Sequence, residues 1–138
     1  MEYTIDKEDL KGKIIKEISR LAAESRGDDG SSLFDAYKVL SRDHDTILDY
    51  IDAGIDAICV ALIGITTKKD GALTFTVPDF ISSMEGAVGK ELESYIVYHA
   101  CSLWVEDKSM TESDTYKKRA ESALTNANIL LKTRKSPK

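Results

Sequence analysis

The chain has 138 residues, 42% of them hydrophobic and 31% charged, with a net charge of −5. That length is one domain able to bury roughly two thirds of its unfolded surface, and the composition excludes a disordered chain. The negative balance argues against generic nucleic-acid binding, which needs a cationic surface.

Met1–Leu10 is charged and has no apolar h-region, so no signal peptide is expected. The longest apolar run, Ala57–Ile65 with Gly64 inside it, is far short of the ~20 residues that cross a bilayer. No membrane association is expected, and the site of synthesis reads as reducing and cytoplasmic. Cys59 and Cys101 each sit in an apolar helical run and read as buried free thiols. A disulfide between them would need Cα atoms within about 7 Å, which the sequence leaves open.

The first helix is predicted from about Asp6 to Ser25, with Asp6 as N-cap and Asp9 at the positive end of the dipole. Leu10, Ile14, Ile18, Leu21 and Ala22 form its buried stripe, and Lys11, Lys13, Lys16, Glu17 and Arg20 solvate the opposite face. The stretch 26–32, RGDDGSS, reads as a plain loop despite its Arg-Gly-Asp triplet. A short helical segment follows over Leu33–Leu40.

Ser41 opens the next predicted helix, with Asp43 and Asp45 in its first turn. Ile47, Ile51, Ile55, Ile58, Leu62 and Ile65 make a seam that places this helix at the centre of the core, with Tyr50 and Ala57 widening the buried face. Gly54 costs about 1 kcal/mol against alanine there, which fits a close approach by another helix.

The period then changes to two over 65–77. Leu73, Phe75 and Val77 share one side, and Asp70-Gly71 signals a type I′ hairpin turn. Pro78 ends the second strand. A two-stranded hairpin is marginal alone, so it must pack on the helices or pair with a partner.

Two long helices complete the chain, from about Gly86 to Glu106 and from a Thr111 cap to Arg134, with a break at Asp107–Met110. Val88, Leu92, Tyr95, Ile96, His99, Ala100, Leu103 and Trp104 line the first; Tyr116, Ala120, Ala123, Leu124, Ala127, Leu130 and Leu131 line the second. Lys132, Arg134, Lys135 and Lys138 form a basic tail. The expected architecture is mainly α: four main helices in a bundle, one β-hairpin between the second and third, a single domain over 1–131, and a tail over 132–138.

No catalytic chemistry emerges. His44, Cys59, His99 and Cys101 show neither CxxC nor HxxxH spacing, and His99 and Cys101 point about 200° apart on one helix. No nucleophile sits beside a base, no phosphate loop follows a strand, and the paired carboxylates at helix ends are explained by capping. No cofactor, metal or catalytic residue is expected. The helix Ser41–Ile65 carries Asp43, Asp45, Asp49, Asp52 and Asp56 against Arg42, which argues against DNA reading and leaves a basic protein surface open as a partner.

The run YIVYHACSLWVEDKSMTESDTYKKRAESALTNANILL, over 95–131, joins an aromatic-rich helix, an acidic break and a Y-K-K-R-A-x-x-A-L helix. Together with the preceding acidic helix and hairpin, it resembles the small neck proteins of tailed bacteriophages, the head–tail connector (head-completion) family, over about 41–131. The resemblance implies a structural virion protein whose copies form a ring, commonly of twelve, on the portal. Such a ring extends the DNA channel, with DNA only as passing cargo, and receives other neck or tail proteins. It also implies that the hairpin contacts a neighbour or the portal through Lys69, Asp70, Gly71, Leu73 and Phe75. Lys132, Arg134 and Lys135 would reach another subunit, and the acidic helix faces would line the channel. The alternatives are a small cytoplasmic helical adaptor or regulatory protein with one protein partner, and a tail-completion component.

Overall fold

The computed structural model describes residues 1–26, 34–77 and 80–132. The expected loop after Arg26, Pro78 and the tail beyond Lys132 lie outside them. The fold is mainly helical with a small antiparallel sheet, in the order β1 (Glu2–Thr4), α1 (Lys7–Glu24), α2 (Phe34–Tyr37), α3 (His44–Ala61), β2 (Thr66–Lys69), β3 (Ala72–Phe75), α4 (Glu85–Val105) and α5 (Met110–Lys132). The four main helices and the hairpin between the second and third of them are as the sequence predicts.

Local chemistry sets most boundaries. Asp6 caps α1 by accepting from the Asp9 amide at 3.1 Å. At its far end the Ser25 hydroxyl donates to the Leu21 carbonyl at 2.7 Å. Before α3, Ser41–Asp43 forms a turn of 3-10 helix, and the Asp43 carboxylate accepts from the Leu40 amide at 2.9 Å. The isoleucine seam is buried from Ile47 to Leu62, but α3 stops at Ala61, four residues short of the expected end. Gly64 is the reason: its φ of 93° is a left-handed conformation that glycine adopts freely, and the chain turns there into β2. The last helix is capped by Ser109, whose hydroxyl accepts from the Glu112 amide at 3.3 Å, and not by Thr111.

The hairpin is not alone, and the sheet it belongs to has three strands. β1, from the start of the chain, pairs with β3, giving the order β1-β3-β2. The Phe75 amide donates to the Met1 carbonyl, and the Ile5 amide to the Gly71 carbonyl, each at 2.8 Å. The third strand thus comes from within the molecule. Leu73 and Phe75 are buried in the core, and Tyr3 and Ile5 pack against that same buried cluster. Tyr3 also lies against the first turns of α4: a β-carbon on Gly89 would sit 3.7 Å from its ring.

The central helix is α4, not α3. It touches α1, α3 and α5 together. Val88, Leu92, Tyr95, Ile96, Ala100, Cys101, Ser102, Trp104 and Val105 are buried, so the middle and end of α4 are enclosed on several sides. α5 lies along it through Ala120, Ala123 and Ala127, small residues that let two helices approach closely. Two buried polar links fix this pair, one to α2 and one between its own two helices. The Trp104 indole N–H donates to the Tyr37 carbonyl at 2.7 Å, anchoring α2. The Ser113 hydroxyl donates to the Ser102 carbonyl at 3.0 Å across the α4–α5 corner.

Candidate functional site

The residues expected to meet a partner are dispersed. Lys69, Asp70 and Gly71 are exposed at the hairpin tip, where φ values of 45° at Asp70 and 79° at Gly71 match the two positive angles of a type I′ turn. Leu73 and Phe75 belong elsewhere. They are 0% and 1% exposed, so the hydrophobic side of β3 serves this molecule's own core and cannot be a docking surface. Lys132 is exposed at the end of α5, while Arg134 and Lys135 lie outside the described residues.

The sheet has an outer edge on β2. Ile65 accepts from the Thr76 amide, so alternate residues of this strand face β3. The backbone groups of Thr66 and Lys68 therefore face outward. The Lys68 ammonium turns back to the Asp56 carboxylate of α3 at 3.1 Å. Val60 in the last turn of α3 and Ile63 just after it are 72% and 83% exposed.

A second surface was not foreseen from the sequence. On the face of α4 between α1 and α5, Ser94 and Tyr98 form the floor shared by two adjoining cavities of about 340 and 210 Å³. Lys118, Arg119, Ser122 and Asn126 of α5 wall one side, and Lys13 and Glu17 of α1 the other. The Arg119 guanidinium lies over the rings of both Tyr98 and Tyr116, at 5.8 and 5.6 Å from their centroids. On the α1 side the carboxylates are engaged. Glu17 accepts from Arg20 at 2.5 Å and from the Tyr116 hydroxyl at 3.0 Å, and Arg20 in particular holds its pKa below the usual range. Glu93 is paired with Lys13.

The histidine and cysteines of α4 keep apart. His99 stacks on Tyr95 with centroids 5.5 Å apart, and burial, aided by Lys117, lowers its pKa. Cys101 is fully buried on another face, and burial pushes its thiol up to about 12. It is therefore held protonated, the opposite of what a nucleophile needs. Cys59 is half-buried, and both thiols are free. Among the described residues no three or more His, Cys, Asp or Glu side chains converge as metal ligands, and no helix is long and apolar enough to cross a membrane. The chain matches no protein-family model, no curated protein and no solved structure.

Proposed function

We propose that the protein is a structural component of a tailed-bacteriophage neck. Copies assemble into a ring on the portal, extend the DNA channel and receive the next neck or tail protein, without catalysing a reaction. The observation that carries this reading is the order of elements. An acidic helix, a hairpin with an exposed tip and a long helical pair follow one another as the resemblance implies. The exposed tip residues Lys69 and Asp70, rather than the buried Leu73 and Phe75, supply the contact to the portal.

The test is molar mass in solution with and without a portal protein, together with negative-stain imaging. Rings, or capture by the portal, are expected. A monomer that ignores the portal would refute the reading and favour the small adaptor. Two substitutions separate contact from folding. Lys69→Glu is expected to weaken portal capture at unchanged melting temperature. Leu73→Ala is expected to lose about 2–5 kcal/mol of stability, because it opens a cavity in the core.

A further inference from the structure

His99 of α4 is half-buried between α3 and α5. The carbon edge of its ring faces α3 where the two helices come closest: a β-carbon on Gly54 would sit 3.6 Å from His99 Cδ2 and 3.5 Å from Ile96 Cα. The face of the ring is covered by Tyr95, stacked at 5.5 Å with 17° between the planes. On the α5 side stands Lys117, the one charged group among the described residues that acts on the ring.

No carboxylate offsets that cation at the ring. On α3, Tyr50, Ile51, Ala57 and Ile58 share the face of Gly54, and Tyr50 is the only titratable group among them. Asp49, Asp52 and Asp56 stand roughly 140–160° further round the helix. On α5, Asp114 and Glu121 lie a turn either side of Lys117, and Glu121 acts on Tyr95 instead of His99. The charges of α1 meet the other side of α4, where Cys101, about 200° round from His99, is the group that feels Glu17 and Arg20.

We propose that His99 is an acid-sensitive latch between α3 and α4: the neutral ring seals their contact at Gly54, and protonation puts a second cation beside Lys117 there and releases α3. The neutral imidazole suits its setting, a flat ring between a glycine and an aromatic face. The imidazolium does not, because it is drawn partly out of water and meets a like charge. Burial first, and Lys117 second, accordingly lower the ring's pKa from its ordinary 6.5. The unfolded chain then takes up the proton more readily than the folded one. The stability held by the neutral ring is complete above pH 6.5 and is lost as pH falls below it.

The test compares urea midpoints of the full chain at about pH 7 and pH 5, bracketing the ring's titration. The wild-type midpoint is expected to fall between them. His99→Gln, which cannot take the proton, is expected to flatten that fall whatever its own stability at neutral pH. Lys117→Glu exchanges the like charge for an opposite one and is expected to flatten or reverse it. Amide hydrogen exchange at the same two pH values, corrected for intrinsic rates, locates the change. On acidification the buried seam of α3 is expected to lose more protection than the α4–α5 pair. Equal falls in the wild type and His99→Gln overturn the proposal, because a merely structural histidine moves the midpoint and not its slope. Protection lost equally from α3 and α5 also overturns it, since acid then loosens the whole fold.

Discussion

Gly54→Ala tests how closely α3 and α4 approach. Glycine within a helix costs about 1 kcal/mol against alanine, so the substitution starts with a gain of that size. The opposing term is steric. The new β-carbon would lie 3.5 Å from Ile96 Cα and 3.6 Å from both Ile96 Cγ2 and His99 Cδ2. These are ordinary van der Waals contacts, so a methyl fits without displacing the α4 backbone. Burying it adds up to about 0.8 kcal/mol. A net stabilisation of about 1 kcal/mol is expected, raising the melting temperature by about 3 °C for a domain of this size. Gly54→Leu should reverse the sign, since the extra carbons meet Ile96 and His99 and overpacking costs about 1–3 kcal/mol. Urea unfolding followed by circular dichroism measures both. A Gly54→Ala variant less stable than the wild type would refute the reasoning, showing that the two helices meet more tightly than these distances state.

Two other outcomes follow from buried polar groups. Trp104→Phe removes the indole donor and leaves the Tyr37 carbonyl unpaired, so it is expected to cost about 1–3 kcal/mol in urea unfolding; a change near zero would show that water replaces the bond. Tyr3, whose hydroxyl is pushed up to about 12 chiefly by burial and next by Glu93, makes stability fall in alkali. Its folded pKa lies above its unfolded value of about 10, so the folded state holds the proton longer. That contribution is complete below pH ~10 and is lost as pH rises towards 12. Urea midpoints measured from neutral pH to about pH 11 should fall less steeply in Tyr3→Phe than in the wild type; parallel slopes would remove Tyr3 as the cause.

The elements legible in the sequence are those specified by their own neighbours. The Leu10–Ala22 stripe, the Ile47–Leu62 seam and the Asp70-Gly71 turn each carry enough local periodicity or turn chemistry to define themselves. β1 was not legible because Glu2–Thr4 is three residues long, too short for alternation to register, and its partner lies beyond α3. The end of α3 is not legible because Ile65 continues the seam's spacing past Ala61, where the helix ends. Leu73 and Phe75 show the same limit from another side. Their alternation marks one apolar face of the strand but does not say whether the molecule's own helices or another protein cover it. The surface over α4 was hidden for a related reason. Tyr98 lies beside the α4 stripe in sequence, and only the placement of α1 and α5 around α4 turns Ser94, Tyr98 and Arg119 into one surface.

The pairing of β1 with β3 joins groups 74 positions apart, as between Met1 and Phe75. During synthesis at about 5–20 residues per second, β1 waits on the order of 4–15 s for its partner strand to be made. Over that interval α1 and most of the α3 seam are complete while the sheet has no centre. Closing so long a loop costs more chain entropy than forming either helix or the hairpin, whose contacts are local. A newly made chain therefore carries β1 before the strand it pairs with has been made.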